Sequence, residues 1–130
     1  MRKRIIAFVS VIMCAMMFAG CKNTLEKKVS KKELKEMNDQ AYEQYVKNDD
    51  SIKDIKIEIK GNEVIYKYYF NMELSEDQIA LMQKNVESAS NKKMVENIRD
   101  GLADAYKLKD VTVTYIYYDI NDEEIARLSV

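Results

Sequence analysis

Histidine, tryptophan and proline are absent from all 130 residues, and only three glycines and two cysteines occur. Without histidine the chain lacks the usual general base at neutral pH and the commonest metal ligand. The expectation is therefore no enzyme, no catalytic residue, no metal and no cofactor. Charge of one sign is missing too: 21 basic residues face 22 acidic ones, for a formal net charge of −1. A chain so balanced is a poor nucleic-acid binder, so nucleic acid is excluded as a partner.

Long apolar stretches are lacking except at the start. Arg2, Lys3 and Arg4 precede an apolar run over residues 5–18 that only Ser10 interrupts. That run has the length of a secretory signal core and falls short of the ~20 residues that span a bilayer. Phe18-Ala19-Gly20-Cys21 follows, two small residues before a cysteine. This resembles the lipobox of bacterial lipoproteins, with Phe18 where that pattern usually has Leu. The resemblance implies cleavage after Gly20 and lipid on the Cys21 thiol, and hence a place on the extracytoplasmic side of the cell membrane. Membrane lipid, reached through Cys21, is then the first partner. Cys14 lies in the removed run and Cys21 carries lipid, so the fold must hold without a disulfide.

Removal of residues 1–20 takes Arg2, Lys3 and Arg4 away and leaves 18 basic against 22 acidic residues, a net −4. The remaining length fits one domain and not two. Its first part is locally positive, because Lys22, Lys27, Lys28, Lys31, Lys32 and Lys35 face only Glu26 and Glu33. Beside an acyl anchor, such a segment is drawn to anionic headgroups by about 1 kcal/mol per lysine; a solvated tether explains it equally well. Residues 21–28 show no apolar period and read as a flexible lipidated tether, which leaves residues 29–130 as the domain.

Ser30 and Glu33 match a capping box, with Val29 and Leu34 as its hydrophobic staple. Leu34, Met37, Ala41 and Tyr45 then mark a helix over about residues 31–47. Ile55, Ile57 and Ile59 alternate with charged residues, and Gly61-Asn62 follows as a two-residue turn. That loop predicts a hairpin pairing Ile59 with Val64, Ile57 with Tyr66, Ile55 with Tyr68, Lys60 with Glu63 and Lys56 with Lys67. Ser75 and Gln78 repeat the capping box between Leu74 and Ile79. The stripe Ile79, Met82, Val86, Ala89 reappears, rotated about the axis, as Met94, Ile98, Leu102, Ala105; one long bent helix over residues 76–106 is expected, with the Ser/Asn-rich step at residues 88–91 as its weak point. Residues 111–118 are almost wholly β-branched or aromatic, the strongest strand signal here. Residues 119–123 read as a turn and residues 125–130 as the returning strand.

The predicted fold class is α+β: two helices on one face of a mainly antiparallel four-stranded sheet, in the order α-β-β-α-β-β. The expected core holds Ile55, Ile57, Ile59, Tyr66, Tyr68, Ile79, Met82 and Leu102. This layout, with the lipobox, the Leu74-Ser75 helix start and a Tyr-rich terminal hairpin, resembles small uncharacterised lipoproteins of Gram-positive bacteria that carry a domain of unknown function. The resemblance implies architecture and location and supplies no catalytic residues.

Two short motifs invite chemistry and are outweighed. Ser90-Asn91-Lys92-Lys93 fits S-x-x-K, in which lysine helps deprotonate a nucleophilic serine, but no S-D-N or K-T-G partner exists in so short a chain. Asp119-Ile120-Asn121-Asp122 opens like a calcium loop and then places Glu124 where glycine is required and Val130 where a bidentate Glu is required. Asp49, Asp50 and Asp54 would hold a cation only if the fold gathered them. The function expected is a non-enzymatic module binding an envelope protein or peptide; the alternative is a small hydrolase built on carboxylates or Ser-Lys chemistry. If the helices cover the face bearing Ile57 and Tyr66, then Ile65, Lys67 and Tyr69 point the other way and Ile116 and Tyr118 join them as the candidate partner-binding face.

Overall fold

The computed structural model describes residues 24–130. Cys21 and the whole signal segment lie outside the described residues. Helix α1 spans Leu25–Lys28 and α2 Lys31–Ala41, prolonged by one π-helical stretch over Tyr42–Val46. Strands β1, Ile52–Lys60, and β2, Glu63–Phe70, form the first hairpin. Helices α3, Glu76–Val86, and α4, Ala89–Tyr106, precede the second, made of β3, Thr112–Tyr118, and β4, Glu124–Ser129. The class is α+β, as expected.

The sheet runs β1-β2-β3-β4, antiparallel within each hairpin and parallel between β2 and β3. Gly61 takes φ +57°, which a first position in a primed hairpin turn requires, and every predicted pair from Lys60–Glu63 to Ile55–Tyr68 is formed. Because side chains alternate, that single register sorts the sheet into rows. On one face Ile57, Tyr66, Tyr115 and Leu128 align across the four strands, with Ile55, Tyr68, Tyr117 and Ala126 beside them. Against these rows α2 rests on β1, α4 on β3 and α3 on β4. Met37, Ala41, Tyr45, Val86, Val95, Ile98 and Leu102 complete the core from the helices. Of the residues expected there, Ile55, Ile57, Tyr66 and Leu102 are buried, and Ile59, Tyr68 and Met82 pack against its margin. Ile79 is half-buried and stands outside the core.

Two expectations are corrected. The helix over residues 76–106 is broken at Ser88, whose hydroxyl caps α4 by accepting from the Asn91 N–H at 3.3 Å. Val86 and Val95, both buried, lie nine residues apart, about half a turn out of phase at ~100° per residue. One straight helix could not aim both at the sheet, and the Ser/Asn step relieves the conflict.

Residues 24–28, expected as part of a flexible tether, are folded. Thr24 caps α1, Leu25 is 0 % exposed, and the Leu25 N–H donates to Asn62 Oδ1 at 2.9 Å. Glu26 closes a reciprocal pair with the turn: its N–H donates to the Gly61 carbonyl at 2.8 Å, and its Oε1 accepts from the Gly61 N–H at 2.7 Å. Lys28 Nζ donates to the Tyr106 carbonyl at the end of α4. A four-residue helix with one apolar side chain carries no periodicity, so its anchoring was invisible in the pattern.

Candidate functional site

Among the described residues no helix lies over the second face of the sheet, where the register sets out three mixed rows. Glu58, Ile65, Thr114 and Ser129 form the first; Lys56, Lys67, Ile116 and Arg127 the second; Asp54, Tyr69, Tyr118 and Glu124 the third. All five expected contact residues therefore share this face, but their exposure differs. Ile65 and Ile116 are only 8 % and 4 % exposed. Ile65 stands between Glu58 and Thr114, and Ile116 between the charged heads of Lys67 and Arg127. Those heads are tied down: Lys67 Nζ meets Glu58 at 2.6 Å and Arg127 meets Glu124 at 2.7 Å. The hydrogen bond from Lys67 holds the Glu58 carboxyl below its ordinary value, and the same bond raises Lys67. Thr114, 1 % exposed, donates to Glu63 at 2.6 Å and meets Ser129 Oγ at 2.9 Å. This part of the face is a thin closed layer.

The third row is open. Tyr69 and Tyr118, paired on the parallel strands, stack with centroids 4.7 Å apart and planes 10° from parallel. Lys56 Nζ lies 5.5 Å over the Tyr69 ring, a cation held by the ring face and not by a carboxylate. Partial burial raises the Tyr69 phenol, against the lowering pull of Lys67. Beside the rings a shallow groove of about 210 Å³ is lined by Lys53, Asp54, Lys56, Tyr69, Tyr118 and Asp122. Its rim is fixed by Lys53, which donates to the Ile120 carbonyl at 3.1 Å and to Asp122 at 3.0 Å, joining β1 to the β3–β4 turn. The turn is held by Asp119, whose Oδ1 accepts from the N–H groups of Asn121 and Glu123 at 2.9 and 3.0 Å. Asp119 thus works as a turn brace, and Asp122 adopts φ 62° at the tip.

The groove gathers Tyr69 and Tyr118 and leaves Ile65, Lys67 and Ile116 outside. Lys56 was legible as a polar position of β1, whereas Asp122 reaches the groove only through the bend of the turn. This chain belongs to the DUF4854 family. The model of that family, described as a domain of unknown function, matches residues 23–130, so the DUF4854 domain takes in α1, in keeping with its docking on the hairpin turn. No curated protein and no solved structure matches the chain.

Other candidate chemistry in this DUF4854 domain is dispersed. Ser90 and Lys93 are exposed on the first turn of α4. Asp49 accepts from the Ser51 N–H and hydroxyl at 3.0 and 2.6 Å, while Asp54 accepts from the Ile55 N–H at 2.8 Å. Among the described residues no group of three or more His, Cys, Asp or Glu side chains is arranged to hold a metal ion. No helix among them is long and apolar enough to cross a membrane.

Proposed function

We propose that this protein is a lipid-anchored module on the extracytoplasmic side of the cell membrane, held by Cys21, that binds an envelope protein or peptide through the helix-free face and performs no catalysis. The observation that carries the reading is the Tyr69–Tyr118 stack with Lys56 over it, on a face that no helix of the described residues covers. Stacked tyrosines ringed by charged groups match the anchors and rim of protein-binding surfaces. Size decides the kind of ligand. A groove of about 210 Å³ is smaller than the ~300–1,000 Å³ of small-molecule pockets, so it accepts one or two side chains of a larger partner.

Position supports the same reading. The N-terminal Thr24 and the hairpin turn stand at one end of the strands, and Tyr69 lies six residues beyond Glu63, about 20 Å away at ~3.3 Å per residue. The groove is carried at the pole remote from Thr24. The test is recovery of partners from solubilised membranes with wild-type protein and with Tyr69→Ala/Tyr118→Ala. A folded double variant that loses recovery supports the site, and full recovery overturns it. Cys21→Ser tests the anchor separately: the protein should leave the membrane pellet for the medium, or stay unprocessed. A processed variant that remains in the pellet would remove Cys21 as the anchor.

A further inference from the structure

The two outer strands of the sheet are not protected alike. Outward main-chain groups of an edge strand are a template for another chain unless the protein occupies them itself. On β1 the middle is occupied: Asn38 takes both the N–H and the carbonyl of Ile57, and Asp54 accepts from the Ile55 N–H. On β4 only the beginning is. Gln83 Nε2 of α3 donates to the Ile125 carbonyl at 2.9 Å, beside the irregularity in the ladder at Tyr117 and Tyr118. The helix ends three residues later at Val86, about 5 Å further on at ~1.5 Å per residue.

Beyond that point β4 is regular and open. Val113 and Val130 exchange both main-chain bonds, at 2.8 and 2.9 Å, so Val130, Leu128 and Ala126 face β3. The N–H and carbonyl groups of Arg127 and Ser129 therefore face away from the sheet. Both residues are exposed, and among the described residues no hydrogen bond engages those four groups. Donors and acceptors that alternate at strand spacing fit one kind of ligand, another extended main chain.

A second copy of this chain supplies one. Its β1 is closed by Asn38, so β4 has no head-to-tail partner of the kind that propagates filaments. It can meet β4 of the copy, antiparallel about a twofold axis, and that contact closes on itself. Pairing Arg127 with Arg127 would set like charges opposite each other and return Ser129 to Ile125, already held by Gln83. Pairing Ser129 with Ser129 would leave Arg127 unmatched. Pairing Arg127 with Ser129 uses all four groups of each strand and sets Leu128 against Leu128 on the helix side of the sheet. Charge agrees with that register. Arg127 of each copy then stands beside the Ser129 hydroxyl of the other, which Thr114 links to the Glu63 carboxylate. Glu63 joins none of the salt bridges among the described residues.

We propose that the β4 edge is a homodimer interface: two copies pair Arg127 with Ser129 about an axis at Leu128, and their four-stranded sheets become one continuous sheet. The groove of each copy stays uncovered, because its lining comes from β1, β2, the end of β3 and the β3–β4 turn.

The test uses the full-length chain with Cys14→Ser and Cys21→Ser, purified in detergent, so that an added cysteine is the sole thiol. Sedimentation corrected for bound detergent should report twice the mass of one chain. With Leu128→Cys, mild oxidation should turn most of the protein into a covalent dimer, because facing residues of an antiparallel pair bring their Cβ atoms to ~4.5–5.5 Å. Lys35→Cys, exposed on α2 at the β1 side of the sheet, should give less than about a tenth of that yield, its thiols being too far apart to bridge. Arg127→Pro removes an outward N–H and leaves the ladder to β3 intact. It should preserve the circular dichroism spectrum while abolishing the dimer and, combined with Leu128→Cys, the cross-link. If Arg127→Pro unfolds the chain, the yields of Leu128→Cys and Lys35→Cys decide alone. A chain that sediments singly would overturn the interface and leave the edge to a strand of another protein. A dimer in which Leu128→Cys cross-links no better than Lys35→Cys, or a folded Arg127→Pro that stays dimeric, would overturn it as well.

Discussion

Asn38 holds the backbone of Ile57 at both of its polar groups. Its Oδ1 accepts from the Ile57 N–H at 2.7 Å, and its Nδ2 donates to the Ile57 carbonyl at 3.0 Å while also reaching the Leu34 carbonyl at 2.9 Å. Strand β1 is an outer strand of the sheet, and its outward N–H and C=O groups would otherwise be a template for another chain. One amide from α2 acts there as a fragment of a fifth strand. Asn38→Ala removes both bonds at a half-buried site and should cost about 2–3 kcal/mol, at ~1 kcal/mol per bond plus the unpaired groups left behind. Urea unfolding measures the loss and light scattering the added self-association. A variant within about 0.5 kcal/mol of wild type would show that water replaces the amide without cost.

Leu25 supplies the second prediction. It is fully buried although it lies in a segment whose neighbours are polar, and it belongs to the same core as Leu102 and Val113. Leu25→Ala should destabilise the domain by about 2–5 kcal/mol, the usual range for a buried leucine truncated to alanine. Lys27→Ala, two residues on and exposed, should change it by less than about 0.5 kcal/mol. Equal, small effects from both would mean that α1 is dispensable to the fold.

The contrast between Leu25 and Ile57 shows what pattern can and cannot reveal. The hairpin register was legible because a period of two and a two-residue loop leave one pairing that puts Ile55, Ile57 and Ile59 opposite Val64, Tyr66 and Tyr68. The same alternation placed Tyr69 and Tyr118 together on the other face. Pattern carried no signal for groups that act through the backbone: Asn38, Asp119 and Glu26 look like solvent-facing polar residues until their partners are known. Nor could it foresee that Ile65 and Ile116 would be buried on the face away from the core. Strand propensity gives no direction either, so the parallel pairing of β2 with β3 had to come from the fold.

Ser88 tests the broken helix. Its capping hydroxyl should be worth about 1 kcal/mol, so Ser88→Ala should lower stability by that amount. Helix content by circular dichroism should not rise, because Val86 and Val95 still have to face the sheet. A gain of helix signal at unchanged stability would mean that residues 76–106 join into one helix once the cap is removed.

The tyrosines make the last prediction, one of pH. Tyr66 stacks on Tyr115 at 4.7 Å, Tyr68 on Tyr115 and Tyr117 at 5.9 and 5.3 Å, and Phe70 on Tyr117 at 6.2 Å, a ladder along β2 and β3 on the helix side. Burial is the main cause that raises all four phenols above their ordinary value of 10.0, with Tyr117 pushed to about 12; neighbouring phenols add to it for Tyr66, Tyr68 and Tyr115. The folded chain therefore keeps protons that the unfolded chain releases above pH 10. Their contribution to stability is whole below that pH and is lost as the pH rises toward 12 and beyond. Alkaline titration should show this set ionising together with the loss of the far-ultraviolet circular dichroism signal, and not ahead of it. Tyr66→Phe, which removes one such phenol while keeping the ring stack, should move the alkaline unfolding midpoint upward. Tyrosinate absorbance that reaches the full amplitude of all nine tyrosines while the circular dichroism signal is unchanged would contradict the burial of the ladder.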